Sequence, residues 1–239
     1  MRTTKKILSM ILAFVLVLGL LPATAFATGA DSVYISVSYD GQYINDKNGN
    51  AIAYIPVSFE NLASIDLDEY GLSEYKYDEN GDGTYDITAL HMVIYAHENL
   101  YGGKFSDVEF TGGPGSSYFQ GGIFGFDENL NYFLNGEYPL AGEGWGATSD
   151  QIVLEAGDFL DVASFSCYQF LWDQAGGFHL FADENDSYTH DYYANAGEAL
   201  AVKLKHSFCD LMYGEAWVKE ATDYEIFYGT DFGEADGNA

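Results

Sequence analysis

Two stretches near the start of the chain place apolar residues at every second position, which is typical of β-strands with one buried face. The first covers residues 33–39 and the second covers residues 51–59. Between them lies Asn48-Gly49, a dipeptide that favours a tight turn and an antiparallel return of the chain. The pattern therefore predicts that the fold opens with two paired antiparallel strands.

The period of the apolar residues changes between Asp86 and Tyr101. Five residues recur at the spacing of one helical face: Leu90, Val93, Ile94, His97 and Leu100. No Gly or Pro interrupts residues 87–101, and Gly102-Gly103 follow at once, as expected where a helix ends. This segment is predicted to be the main helix of the chain.

Strand-like patterns return after the helix. Residues 105–126 are rich in Gly and aromatic residues, which indicates loops and short strands. Further strands are predicted at residues 131–134, 152–154 and 159–165. An Asn135-Gly136 turn follows the first of them. Two strands, one helix and several more strands predict an α+β fold in which a sheet wraps around one helix.

The composition becomes polar and turn-like at residues 183–191, and we place a domain boundary near residue 190. This boundary separates a domain at residues 28–190 from a β-rich C-terminal segment at residues 191–239. Within that segment, strands are predicted at residues 200–205, 215–219 and 224–228. A complete immunoglobulin-like sandwich needs about 100 residues. The segment therefore either packs onto the first domain or is a truncated immunoglobulin-like module.

The first 27 residues have the composition of a targeting segment. Basic residues within the first six positions precede an uncharged apolar run at residues 7–21, and Ala25-Phe26-Ala27 forms an A-x-A cleavage signature. We interpret residues 1–27 as a secretory signal peptide. No later stretch is long and apolar enough for a membrane span. The mature chain is thus expected to be secreted or associated with the cell surface, without a transmembrane segment.

Composition narrows the classes of function. The chain has 239 residues and a net charge of −28, with 37 Asp and Glu against nine Lys and Arg, so a basic surface that binds nucleic acid is excluded. Aromatic residues make up 17% of the chain, which is enough apolar surface to support a folded core. Only Cys167 and Cys209 are present. A disulfide between them is left open, because two cysteines do not make a disulfide-stabilised scaffold.

Three segments resemble the transcobalamin-like C-terminal domain, a β-grasp-type module of secreted and surface proteins of bacteria. They are residues 87–90 at the start of the helix, residues 131–139 with the run Asn-Gly-Glu-Tyr-Pro, and residues 153–158. The resemblance covers roughly residues 31–168 and implies a β-grasp-like sheet that closes over a ligand. The sequence has no counterpart of the large α-helical domain that accompanies this module in animal vitamin B12 carriers, so no cobalamin binding is expected.

One acidic loop has the spacing of a calcium site, because it matches the D-x-N-x-D-G half of a calcium loop. The candidate ligands are Asp78, Asn80, Asp82, Thr84 and Asp86. The twelfth position, where such loops carry a closing acid, is Ala89. Only weak calcium binding is therefore predicted. The same residues are also typical of a turn that caps the following helix without any ion.

Aromatic residues in or beside the Gly-rich connections supply a second candidate site, since exposed rings stack on sugars or anchor partner proteins. The candidate ligand-binding residues are Tyr118, Phe119, Tyr132, Tyr138 and Trp145. The alternative is that these rings fill an aromatic-rich core.

No catalytic motif stands out in the sequence. The scattered histidines lack the spacing of a zinc protease, and the glycine-rich residues 112–117 lack the Lys of a phosphate loop. We therefore expect a non-enzymatic binding or adhesion-type module of a secreted or cell-surface protein, with an unidentified extracellular glycan or protein as its ligand. Two alternatives stay open: a secreted carboxylate-dependent glycan hydrolase, and a structural segment of a larger adhesin.

Overall fold

The computed structural model describes residues 31–127, 130–141, 145–164, 178–183, 188, 202–210 and 215–220. This part of the chain consists mostly of short strands with one main helix, in agreement with the predicted α+β class. The strands are β1 (Ser32–Tyr39), β2 (Gln42–Tyr43), β3 (Ile55–Ser58), β4 (Glu109–Thr111), β5 (Tyr118–Gly121), β6 (Asn131–Leu134), β7 (Leu140–Ala141), β8 (Trp145–Gly146), β9 (Phe159–Ser164), β10 (Phe178–Ala182), β11 (Lys203–Asp210) and β12 (Glu215–Glu220). The α-helices are α1 (Phe59–Ala63) and α2 (Ala89–Tyr95), and α2 continues as a π-helix over Ala96–Tyr101.

The central sheet is built around two neighbouring strands, β1 and β9, which run parallel. β2 and β3 share the other edge of β1, and β6 lies on the outer edge of β9; all three pair antiparallel. The predicted antiparallel opening of the chain is thus confirmed by the pairing of β1 with β3. The predicted strands at residues 131–134 and 159–165 are also confirmed, as β6 and β9.

One face of this sheet forms the main hydrophobic core. Because side chains alternate along a strand, Ile35 and Val37 of β1 share a face with Leu160 and Val162 of β9, their partners in the parallel register. All four are buried, and they belong to one cluster with the apolar residues of the main helix: Ala89, Leu90, Met92, Val93 and Ile94. The helix therefore covers this face of the sheet, as the apolar pattern predicts.

The start of the main helix carries a capping box in which His91 takes the place usually held by Glu or Gln. The backbone N–H of Thr88 donates to Nδ1 of His91 over 3.1 Å. An Nδ1 that accepts a hydrogen bond is unprotonated, so this cap requires a neutral imidazole. Burial lowers the pKa of His91 to about 4, which keeps the ring neutral at ordinary pH.

The predicted helix and its neighbours differ from the structure in three places. The regular α-helix ends at Tyr95, and the last turn before the left-handed Gly102 is a π-helix. The second predicted strand is shorter than residues 51–59. It begins only at Ile55, after Tyr54 with a left-handed φ of 55°, and it ends at Ser58, whose side chain accepts from the backbone N–H of Asn61 and starts α1. The predicted strand at residues 152–154 is a single bridge between Thr88 and Val153.

The C-terminal strands β10, β11 and β12 form a separate antiparallel sheet. β11 and β12 lie in the predicted C-terminal segment, whereas β10 precedes the predicted boundary at residue 190. The strand pairing therefore does not follow that boundary. The predicted signal peptide, the strand at residues 224–228 and Cys167 lie outside the described residues. None of the described helices has the length and apolarity needed to cross a membrane.

His97 lies in the core at the point where the helix becomes a π-helix. It is almost fully buried, and its Nδ1 accepts from the backbone N–H of Phe124 over 3.0 Å. Its ring stacks on that of Tyr101, with 5.5 Å between the ring centroids. Gly103 approaches the same ring so closely that a Cβ there would overlap it. This histidine thus acts as a core residue, and burial lowers its pKa.

Replacing Gly103 with Ala is expected to destabilise the fold by about 1–3 kcal/mol, because the new methyl group must displace the buried His97 ring. The matched control is Gly121→Ala in β5, where a Cβ meets no atom within 4 Å. Urea denaturation of both variants measures the difference. Equal midpoints for the two variants would show that the close contact with His97 has no energetic weight.

The capping histidine predicts a loss of stability in acid. Its folded pKa of about 4 lies below the unfolded value of 6.5, so the unfolded chain binds the extra proton. Stability is then fully present above pH 6.5 and falls as the pH drops towards 4, by at most about 1.4 kcal/mol per pH unit. His91→Gln keeps an acceptor at this position and cannot titrate. Its free energy of unfolding, measured from pH 7 to 4, should fall less than that of the wild type; parallel curves would contradict the prediction.

Candidate functional site

The structure separates the five predicted aromatic ligand-binding residues. Tyr118 is 41% exposed and Tyr138 is partly exposed, whereas Phe119 and Tyr132 are only 0% and 8% exposed. For Phe119 and Tyr132 the prediction of accessible rings is therefore wrong, because both rings are part of the core cluster. Trp145 lies in β8, and its side chain is outside the described structure.

The predicted calcium loop uses its carboxylates to bind its own backbone. Asp78 accepts hydrogen bonds from the N–H groups of Asp82 and Gly83, over 3.1 and 2.8 Å. Asp82 accepts from the N–H of Thr84 over 2.7 Å, and Asp86 closes the loop by accepting from the N–H of Glu79 over 2.8 Å. Asn80, like Thr84, is exposed. The loop residues thus form a turn, but the cap of the following helix is supplied by Thr88 and His91.

Ala89, at the closing position of the calcium motif, is the first residue of α2 and is fully buried. Its N–H donates to the backbone carbonyl of Ile152 over 2.8 Å. A closing acid at this position would have to lie in the core, so the loop cannot be completed in the usual way. In the described part of the chain, no three His, Cys, Asp or Glu side chains converge as a metal site does.

The second face of the central sheet holds a group that the sequence patterns did not indicate. Phe133, Ala163 and Ala182 are buried there, outside the main core cluster. Asp161 of β9 shares this face and is only 3% exposed, directly opposite Ser36 of β1 in the parallel register. The second face is therefore a second buried layer with a carboxyl group in it. The strand pattern of residues 159–165 could not show that another part of the chain covers this face.

The carboxyl group of Asp161 accepts a hydrogen bond from a tyrosine that follows β10 in the chain. Tyr188 donates a 2.5 Å hydrogen bond to its Oδ2, while no group of the described residues donates to Oδ1. Burial raises the pKa of Asp161 to about 6, although the hydroxyls of Tyr188 and Ser36 act in the opposite direction. Ser36 thus influences this pKa without meeting the geometry of a hydrogen bond to Oδ1. The carboxyl group is accordingly close to half ionised near pH 6.

Two further tyrosines extend this cluster towards the surface. The hydroxyls of Tyr43 and Tyr54 lie 2.5 Å apart, and their rings meet edge to face. The Tyr43 ring is 43% exposed, yet its hydroxyl end lies in the cluster, where burial and the Asp161 carboxyl raise its pKa. Burial and Asp161 also raise the pKa of Tyr188. The hydroxyls of Tyr43 and Tyr188 therefore stay protonated at physiological pH and act as hydrogen-bonding groups.

A groove of about 680 Å³ opens beside this cluster, between two turns of the central domain and the C-terminal strands. Its lining residues are Asn135, Gly136, Glu137, Ala156, Gly157, Asp158, Phe159, Ala182, Tyr188 and Lys205. The two turns are joined by a hydrogen bond from Asn135 Nδ2 to Asp158 Oδ1, over 2.8 Å. The edge of the Tyr188 ring contacts Phe159 at a centroid distance of 5.6 Å. The groove thus combines a hydrogen-bonded rim with aromatic side chains.

A second groove of about 530 Å³ lies on another part of the surface, near the end of the main helix. Glu98 is its central polar residue, and it accepts from the Tyr70 hydroxyl over 2.8 Å and from the N–H of Phe105 over 3.0 Å. The pKa of Tyr70 is raised to about 12 by burial and by Glu98. Both oxygens of Glu98 are used within the fold, so we regard this groove as the weaker candidate.

Comparison with known proteins adds no relative: no family model, no curated protein and no solved structure matches this chain. The groove beside Tyr188 is therefore defined by its own geometry. Of the four predicted aromatic ligand-binding residues whose side chains the structure describes, none lines it.

Calcium remains a prediction that stability measurements can test. Binding in the range of about 0.1–1 mM, typical of extracellular modules, would stabilise the fold by about 1.4 kcal/mol at ten times the dissociation constant. The melting temperature should then rise more in calcium than in magnesium at matched ionic strength, and Asp82→Ala should abolish that difference.

The control for this experiment is Asp46→Ala. Asp46 accepts hydrogen bonds from the N–H groups of Asn48 and Asn50 in a similar turn outside the motif. This variant should keep the calcium-specific increment. If Asp82→Ala also keeps the whole increment, the predicted loop is a turn that binds no metal.

Proposed function

We propose that this chain is a non-enzymatic binding module of a secreted or cell-surface protein, built on a transcobalamin-like β-grasp fold. The observation that carries the proposal is the strand order of the central sheet. Its first and last strands, β1 and β9, run parallel at the centre, antiparallel partners flank them, and one helix covers one face. This arrangement is the one expected of a β-grasp module. Because a fold does not define a function, the ligand has to be argued from the groove.

The groove supports a binding role through the segments that form it. Two of the three segments that resemble the transcobalamin-like domain, residues 131–139 and 153–158, supply its two turns. Loops held by a rigid sheet are common places for binding residues. The rim offers carboxylate and amide groups beside the rings of Phe159 and Tyr188, a combination suited to the hydroxyl groups and apolar faces of sugars. We therefore favour a glycan over a protein as the ligand.

The setting of the proposed module follows from the N-terminal sequence. The basic start, the apolar run and the Ala25-Phe26-Ala27 signature favour export of the chain. Its strongly acidic composition disfavours nucleic acid as a partner. Cobalamin is not part of the proposal, because the module alone would supply only part of the contacts that such a ligand needs.

The alternative of a glycan hydrolase would need two carboxyl groups about 5–9.5 Å apart across the scissile bond. Asp161 is the described acid with the most clearly raised pKa, and burial is the main cause of that rise. Among the described residues, only the hydroxyls of Tyr188 and Ser36 act on this pKa besides burial, and no second carboxyl group does. The structure thus gives no specific support to a hydrolytic site at Asp161.

The proposal predicts that a bulky side chain in the groove blocks glycan binding. Ala156 is exposed and lines the groove, so Ala156→Trp should fill it without removing any native contact. The exposed Ala63 in α1 provides the control variant Ala63→Trp. The mature wild-type chain is screened on an array of neutral and acidic oligosaccharides, and the affinity for a glycan that binds is then measured for both variants.

We expect Ala156→Trp to weaken binding at least about tenfold, which corresponds to 1.4 kcal/mol, and Ala63→Trp to leave it unchanged. Equal affinity of the two variants would place the ligand elsewhere on the surface. Release of new reducing ends from a bound oligosaccharide would overturn the non-enzymatic assignment in favour of the hydrolase. An array without any bound glycan would contradict the choice of ligand class.

A further inference from the structure

The second buried layer brings a residue of the C-terminal part of the chain against the central sheet. Tyr188 reaches from the C-terminal part of the chain to Asp161 on β9, and its backbone is bridged to Ala182 at the end of β10. Ala182 is almost fully buried, and the Tyr188 ring also contacts Phe159. The hydrogen bond between Tyr188 and Asp161 thus links the C-terminal part of the chain to the central sheet.

The surroundings of Asp161 suit a neutral acid better than a carboxylate. A carboxylate offers about four lone-pair positions for donors, whereas among the described residues Oδ2 receives one hydrogen bond and Oδ1 receives none. A buried charge with an unpaired oxygen is expensive, because the lost hydration is not replaced. Ionisation of Asp161 therefore favours any rearrangement that returns water to it. Undocking of the segment that carries Tyr188 is such a rearrangement.

Among the described residues of this cluster, Asp161 is the group that titrates nearest to neutral pH. The side chains that face it are either non-ionisable or tyrosines. β1 presents Ser36 and β6 presents Phe133, which is paired in register with Asp161. Tyr43 and Tyr188 have raised pKa values, and Tyr54 is hydrogen-bonded to Tyr43. The charged groups near Tyr188 are those of the groove: Glu137, Asp158 and Lys205. His91 and His97 belong to the helical segment on the opposite face.

We propose that the docking of the C-terminal strands onto the central sheet is a proton-controlled contact, held by protonated Asp161 and Tyr188 and loosened when Asp161 ionises. This device goes beyond the proposed ligand binding and does not depend on which ligand the groove takes. It makes one wall of the groove, formed by Ala182, Tyr188 and Lys205, responsive to pH.

The direction of the effect follows from proton linkage. The docked state holds the proton of Asp161 more tightly than an exposed aspartate does, since the pKa rises from 3.8 to about 6. Docking is therefore strongest at pH values near or below 3.8 and weakens as the pH rises towards 6, above which it changes no further. Between pH 4 and pH 7.5 the docking equilibrium should weaken roughly fiftyfold.

Amide hydrogen exchange of the mature chain, read by mass spectrometry on peptides that cover β10 and Tyr188, tests this proposal. The intrinsic exchange rate depends on pH, so the wild type is compared with Asp161→Asn at each pH. Asparagine keeps the shape of the side chain but cannot ionise. The wild-type rate relative to the variant should rise roughly fiftyfold from pH 4 to pH 7.5 and level off above about pH 6. The exposed Asp127 supplies the control Asp127→Asn, which should follow the wild type.

A second variant keeps the test decisive if Asp161→Asn does not fold. Tyr188→Phe removes the hydroxyl group and leaves the ring on Phe159. It should speed exchange in β10 at every pH, with no comparable change in the peptides of the main helix. A rate ratio between wild type and Asp161→Asn that stays flat with pH, or exchange in β10 that Tyr188→Phe leaves unaltered, would overturn the proposal.

Discussion

The parallel pairing of β1 with β9 is the constraint on which the rest of the fold depends. Antiparallel strands can be joined by a tight turn, but parallel strands need a long connection that crosses the sheet. Here the connection runs from Tyr39 to Phe159 and contains the main helix and β6. Its helix must cover one face of the sheet, because the apolar residues of both central strands are exposed there otherwise.

The same pairing also creates the second face of the sheet and the free-energy cost of burying a carboxyl group there. The register sets Ile35 beside Leu160 on the helical side, and therefore Ser36 beside Asp161 on the other side. A solvated face would tolerate this pair easily. In this protein the face is covered, with Phe133 and Ala163 buried beside the carboxyl group. The Tyr188 hydroxyl offsets part of the cost of burying Asp161, and the raised pKa is the measure of the part that remains.

Local sequence patterns predict correctly those strands and helices whose own residues carry the pattern. β1 alternates, β6 is followed by the predicted Asn135-Gly136 turn, and the main helix starts at Thr88 and stops at Gly102 as its apolar period and glycines indicate. What the sequence does not reveal is non-local. The burial of Phe119 and Tyr132 depends on distant segments that pack against them, and so does the contact between Asp161 and Tyr188. Their polar or Gly-rich neighbours suggested exposure, because period-two patterns cannot distinguish a solvated face from a second buried layer.

The groove depends on both the pairing of β1 with β9 and the covering of the second face, since its two walls come from different parts of the chain. The hydrogen bonds of Asn135 to Asp158 and to the N–H of Phe159 hold one wall rigid. The other wall is formed by Ala182, Tyr188 and Lys205 from the C-terminal part of the chain. A ligand that touches both walls binds the docked form only, so by mass action it stabilises docking by an amount that grows with its concentration relative to its dissociation constant. Conversely, weakening the contact between Tyr188 and Asp161 lowers the apparent affinity of such a ligand to the extent that it lowers the fraction of docked molecules. For such a ligand, the affinity of the groove and the docking of the two sheets are therefore thermodynamically coupled.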